Sequence, residues 1–453
     1  MRTKGVLVKM FSGAAGVPVD APLKRKTSIF RRLLSDATAN SACLVITLVA
    51  CEPSAVEDSV AIDLAEQRGP DGQSCGRGLA VLMTDYVSTS IGIVDFAGET
   101  KSSTFISSSS ADARLNAPLG GDVAFPSAQA KEELVLIDRF PASVLTFVSL
   151  TTGKVRGQLD VGQDFAANPQ DYLELDKKRA LVSRYDSNPR PDAGPLERGD
   201  DILVIDRERL QILSSIDLSG VRTPGFLARP GQMLAVRDRV LVSVSGHDAR
   251  FSDAGAGRIV AVDPERGTVT QVIPLEGVKN CGGLALSPDQ TQVAVSCSGL
   301  VNGADEPAPA DSAIVVLRFV ERPGAEWTLE EAGRYGADAF ELGPFSPHLA
   351  YAADDQLLVG TYGAVEGADA GRPDRALLID LESEKMVQLL QSDTSAFTLG
   401  QIQCVPECSL CFVADASVGK VHRLDFARST PPEISLIAVQ NDIGLPPRLL
   451  ARL

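Results

Sequence analysis

The chain predicts an all-β fold, a seven-bladed β-propeller closed by pairing of its C-terminal strand with the N-terminal blade. Three observations carry this. A short apolar strand, usually ending in Asp, recurs seven times. A hairpin of near-continuous apolar runs precedes it. The first repeat also begins one strand late, while the chain ends one strand into a further repeat.

The recurring strand is found at Ile91–Asp95, Val144–Ser149, Ile202–Asp206, Ile259–Asp263, Ile314–Arg318, Ala376–Asp380 and Val421–Asp425. Its last positions lie 54, 57, 57, 55, 62 and 45 residues apart. A step of that size holds four short strands with their turns, which is one blade. The hairpin is clearest at Gly283–Ser298, where Pro288 and Asp289 preset the bend. Tyr172–Tyr185, His348–Tyr362 and Leu399–Ala416 repeat it. These runs do not alternate, because stacked blades bury both faces of a strand. Leu79–Asp85 already reads as a second strand, and Pro446–Leu453 as a first strand with no successor. Joined, they complete blade 1 and remove the edges of an open sheet.

This order, with the apolar-Asp pattern at Leu203–Leu218 and Val260–Leu275, resembles the YVTN-type propeller repeats of bacterial surface and periplasmic proteins. The resemblance covers residues 79–453. It implies the fold and says little about function.

Residues 1–50 read as a signal peptide and 51–78 as a flexible polar tether. Lys24, Arg25, Lys26, Arg31 and Arg32 precede a short apolar stretch, Ala42–Ala50. The segment Leu48-Val49-Ala50-Cys51 resembles the bacterial lipoprotein signal. That resemblance implies lipidation of Cys51 as the first mature residue, and a membrane partner through the lipid anchor. Met10 is an alternative start, and a short buried helix is the alternative reading of the apolar stretch. The chain is therefore expected in the cell envelope, facing the periplasm or exterior. Glu52 after the lipid Cys favours the outer membrane.

The net charge is −16, and residues 1–50 contribute +6, which leaves −22 on the rest. Such a body repels phosphate backbones and excludes nucleic acid as a partner. No apolar run reaches the ~18 residues of a membrane span, which excludes a multi-pass protein.

Six cysteines follow Cys51, an even count that reads as disulfides in an exported chain. Positions paired across a hairpin have a nearly constant sum. The turn at 288–291 places Cys281 opposite Cys297, and the turn at 406–409 places Cys404 opposite Cys411. Cys75 and Cys408 remain as the third pair. The rival reading is a metal site from Cys404, Cys408 and Cys411.

No catalytic constellation stands out. The three histidines are His247 and His348, on expected loops, and His422, in a strand. The absence of Cys-x-x-Cys-His excludes covalent c-type haem. One pattern is distinctive. The loops between second and third strands are short in blades 1, 2 and 7 and long in blades 3 to 6. The long ones are Ser183–Asp201, Ser245–Gly257, Ser298–Asp311 and Thr361–Asp374. In the family fold these loops share one face beside the channel mouth.

The expected docking wall uses Arg184, Tyr185, Asp186, Asp200 and Asp201 from blade 3, and His247, Asp248 and Asp253 from blade 4. Blade 5 adds Asn302 and Asp305, and blade 6 adds Tyr362, Asp369 and Asp374. No cofactor is required. A Ca²⁺ ion on Asp186, Asp200, Asp201, Asp248 and Asp253 is the minority reading, since no ordered Ca²⁺ loop is present. The favoured function is a protein- or ligand-binding scaffold. The alternative is a propeller enzyme, a lactonase-like hydrolase or an oxidoreductase, with its site at the channel mouth.

Overall fold

The computed structural model describes residues 62, 64–69, 72–300, 309–321, 327–365, 369–393, 396–429, 431–439 and 443–453. Seven four-stranded antiparallel sheets form the blades. Six use consecutive strands. Blade 1 takes Pro447–Arg452 as its inner strand, followed by Leu79–Thr84, Thr89–Val94 and Thr100–Ser107. Ala80 faces Ala451 and Leu82 faces Leu449 across this seam. The ring is thus closed by the strand at the C-terminal end, as the repeat count predicts.

Seven apolar clusters form the core, one at each interface between neighbouring blades. The third strand of blade 4, Ala256–Asp263, shows why its sequence is continuously apolar. Ile259 and Ala261 pack forward against blade 5, while Val260 and Val262 pack back against blade 3. Successive side chains point to opposite faces, and both faces meet another blade. Outer strands meet solvent on one side, and Val155–Asp160 alternates between buried and exposed accordingly.

Blade 2 departs from the pattern. Its inner strand is only Val123–Ala124, because the chain turns away at Pro126. The Gln129 side chain takes over from the missing ladder. It accepts from the Val135 amide at 2.9 Å and donates to the Val135 carbonyl at 3.1 Å.

Three disulfides close as Cys75–Cys408, Cys281–Cys297 and Cys404–Cys411. The two hairpin pairs sit directly opposite in register. Cys404, Cys408 and Cys411 are all consumed, so none is left as a thiolate ligand for a metal. Within the segment read as a tether, Gln67–Arg68 and Ser74–Gly76 form a small hairpin. Its Cys75 is fully buried in the cluster between blades 7 and 1. Cys51 lies outside the described residues. Among those described, no helix is long and apolar enough to cross a membrane.

Candidate functional site

Strands alternate in direction within each blade. Loops between second and third strands, and connections between blades, therefore emerge on one face, the loop face. The tight turns lie on the opposite turn face.

The long loop of blade 3 is shorter than its composition suggests. Arg179–Ser187 and Gly199–Asp206 are strands, and they stay paired up to Ser187 and Gly199. At its base Arg184 grips Asp201 with two hydrogen bonds, Nε to Oδ1 at 2.8 Å and Nη2 to Oδ2 at 2.7 Å. Arg184 also donates to the Val161 carbonyl at 3.1 Å. Both side chains are buried, and burial pushes the Asp201 pKa up. Breaking such a pair leaves an uncompensated buried charge.

Above this base, Tyr185, Asp186, Asp200, His247 and Asp248 gather around one residue absent from the sequence reading, Arg229. Arg229 is buried, in the connection between blades 3 and 4. It donates to the Asp186 carboxylate and, at 3.2 Å, to the Asp248 carbonyl. Its guanidinium contacts two rings, 3.9 Å from the Phe251 centroid and 4.9 Å from that of Tyr185. The rings themselves are nearly parallel, 6.1 Å apart. The Tyr185 hydroxyl meets Ser245 Oγ at 2.8 Å and His247 Nδ1 at 3.4 Å. Burial, reinforced by the Arg229 charge, lowers the His247 pKa to about 4. His247 is therefore neutral at physiological pH.

Asp200 and Asp374 are fasteners rather than wall. Asp200 accepts from the Ala228 and Arg229 amides at 3.1 and 2.5 Å and pairs with Arg222 at 2.7 Å. Asp374 accepts from the Phe397, Thr398 and Leu399 amides at 2.9, 2.5 and 3.0 Å. Ser143 and Ser312 do the same with hydroxyls, for Ala167 and Phe345, each at 2.9 Å. In each case the start of a third strand captures the amides that lead into the next blade.

The other expected residues are dispersed. Asp253 pairs with Lys279 at 3.2 Å, and Asp369 pairs with Arg372. Tyr362 is half-buried beside Phe397, with ring centroids 5.1 Å apart, and desolvation raises its pKa. Asn302 and Asp305 lie outside the described residues. Of the five acids considered for Ca²⁺, four have cationic partners, Asp186 with Arg229, Asp200 with Arg222, Asp201 with Arg184 and Asp253 with Lys279. Asp248 instead accepts from the Ser252 amide at 2.7 Å. Among the described residues, no three His, Cys, Asp or Glu side chains group as a metal site.

His348 corrects a second expectation. It is not on a loop but within the inner strand of blade 6, Phe345–Ala353. Burial lowers its pKa to about 4, and the charge of Arg139 from blade 2 adds to this. Blades 2 and 6 lie on opposite sides of the ring, so this interaction crosses the central channel. Arg139 is itself held by Asp122, with Nε to Oδ1 at 3.0 Å. Beside them Arg448 stacks on Tyr86, 4.7 Å from its centroid, and donates to the Phe397 carbonyl at 2.9 Å. His422 lies in a strand as expected, its Nε2 2.9 Å from Asp415 Oδ2.

No family model and no curated protein matches the chain. Solved structures resemble it in fold. The periplasmic gluconolactonase of Pseudomonas aeruginosa is 12% identical with a TM-score of 0.49, covering 80% of this chain and 99% of that one. Hydrazine synthase of Kuenenia stuttgartiensis is 14% identical with a TM-score of 0.46, covering 66% and 75%. Apo AztD of Citrobacter koseri is 12% identical with a TM-score of 0.45, covering 83% and 97%. Likeness at this level carries no argument about function.

Proposed function

We propose that this chain is a lipid-anchored propeller of the cell envelope that captures a protein or small-molecule partner on its loop face. The observation that supports this most is the Arg229 assembly. It fixes the long loops of blades 3 and 4 as one rigid projection, and loops on rigid scaffolds are where binding concentrates. Export is supported by the cysteines. All six beyond Cys51 are in disulfides, which form and persist outside a reducing cytoplasm. On this reading Cys51 carries the lipid and Glu52 directs the protein to the outer membrane. The acidic body disfavours nucleic acid as the partner.

Two experiments test the proposal. Metabolic labelling with palmitate should mark the parent and not Cys51→Ala; an unlabelled parent removes the anchor. For capture, residues 188–198 are excised and Ser187 is joined to Gly199, which already pair across the ladder. The Arg184–Asp201 pair and the Asp200 fastener stay intact. The variant should keep its circular dichroism spectrum and lose a partner that the parent retains by cross-linking in membrane extract. Undiminished capture by the folded variant rejects this loop as the docking element.

A second reading is supported by His348. A neutral imidazole in the inner strand of blade 6, within electrostatic reach of Arg139, offers a proton acceptor. That arrangement fits a lactonase-like hydrolase or an oxidoreductase acting at the channel mouth. Turnover of a δ-lactone by the parent, abolished in His348→Gln, would favour it over pure binding. Absence of turnover across lactone ring sizes would remove the hydrolase form.

A further inference from the structure

We propose that the turn face carries an anion site, a cavity of about 420 Å³ between blades 2 and 3 that takes a phosphate-bearing group. Four cations line it, Arg114, Lys154, Arg156 and Arg207, against the two carboxylates Glu132 and Glu133. The Thr151 hydroxyl also faces it. On a chain with net charge −16 the cavity gathers four cations in one place, among the carboxylates of Glu132, Glu133 and, on Arg207, Glu174.

Two of the cations are held in place, and two are exposed. Glu133 holds both arginines, accepting from Arg156 and, at 3.1 Å, from Arg207 Nη2. Glu174 holds Arg207 from the other side at 2.6 Å. Phe147 supports the Arg156 guanidinium 4.8 Å from its centroid. Two guanidinium groups are thereby locked. Arg114 and Lys154 enter no ion pair among the described residues. Their charges remain for a ligand. Fixed guanidinium planes with nearby free cations and a hydroxyl suit the tetrahedral oxygens of phosphate.

Its position suggests where such a group comes from. Arg77, just after the N-terminal hairpin, donates to the Lys131 carbonyl, and the next two residues are Glu132 and Glu133. Leu115, next to Arg114, packs in the same cluster as Ile62 and Leu64. Ile62 and Leu64 therefore pack against the neighbour of a residue that lines the cavity. If Cys51 is lipidated, as proposed above, the anchor brings the protein to a surface where phosphate headgroups are abundant. The shared chemistry is phosphate, and the source is a lipid headgroup or a soluble phosphate.

The test uses the full-length protein in detergent and ³¹P NMR line broadening. The probes are inorganic phosphate and short-chain dihexanoyl phosphatidylglycerol. The double variant Arg114→Ala/Lys154→Ala should weaken binding of the preferred probe by at least about tenfold, since two charge-assisted contacts are lost. The charge-matched control Arg266→Ala/Lys385→Ala, on the turn face of blades 4 and 6, should bind as the parent does. Tighter binding of the lipid assigns the headgroup; tighter binding of inorganic phosphate assigns a soluble source. No broadening of either probe by the parent, or equal weakening in both double variants, overturns the site. Palmitate labelling of Cys51 is scored separately. A protein that binds phosphate but takes up no label keeps the cavity site and loses the anchor.

Discussion

The Arg229 guanidinium lies 3.9 Å from the Phe251 ring centroid and 4.9 Å from that of Tyr185. One cation from a blade connection thereby joins the long loops of two neighbouring blades. Tyr185 comes from blade 3 and Phe251 from blade 4, and neither loop has an apolar core of its own.

Arg229→Leu is expected to destabilise the fold by about 1–3 kcal/mol, because half-buried Asp186 loses its cation. Arg229→Lys should recover little, since an ammonium cannot reproduce the planar stack. Urea midpoints of the three proteins measure this. A lysine variant as stable as the parent would show that charge alone suffices.

His247 gives a pH dependence. Its pKa falls from 6.5 to about 4 on folding, so its contribution is full above pH 6.5 and is lost as pH falls toward 4. His247→Phe should therefore lose up to about 3 kcal/mol less stability than the parent over that interval. Asp171 acts in the opposite sense. Burial raises its pKa to about 6, so its ionisation weakens the fold as pH rises through that value. Urea titrations at both ends of the range, on parent and variant, isolate the histidine.

The three disulfides should rank by the loop each closes. Chain entropy gives up to about 6 kcal/mol for Cys75–Cys408, about 3 for Cys281–Cys297 and about 2.5 for Cys404–Cys411. Paired Cys→Ala variants compared by denaturant midpoint test the order. An unchanged midpoint for Cys75→Ala/Cys408→Ala would show that the ring holds equally well without the clasp.

Deleting residues 448–453 should prevent cooperative folding. It removes the partner of Leu79–Thr84 and strips Leu450, Ala451 and Leu453 from two blade interfaces. Near-ultraviolet circular dichroism and a thermal melt would report it. A normal melt would mean that blade 1 stands on three strands.

Much of the fold was legible because blades impose a repeat. Val144–Ser149 is a strand over the residues expected, and Ile91–Asp95 is found shifted to Thr89–Val94. Cys281 and Cys404 found their partners because hairpin register is arithmetic. The inner strand of blade 2 was not legible, because the Gln129 side chain replaces backbone there. The loop face was only partly so. Asn302 and Asp305 lie outside the described residues, and for the others acidic composition suggested a solvated wall. Asp200 and Asp374 are instead buried beneath amides that lie more than twenty residues away. Arg229 escaped notice because stacking on Tyr185 and Phe251 leaves no spacing signature in the chain.

The seam between Leu79–Thr84 and Pro447–Arg452 has a consequence for biosynthesis. Leu79 must wait for Arg452, about 370 residues later, before its sheet has an inner edge. At ordinary ribosomal speeds that is on the order of 20–75 s. Throughout that time one edge of a strand that ends fully buried stands open in a nascent chain, its other edge already paired with Thr89–Val94. Chaperone protection of the emerging N-terminal repeat is thus a requirement of the topology, and premature termination anywhere upstream yields an open, sticky arc rather than a smaller ring.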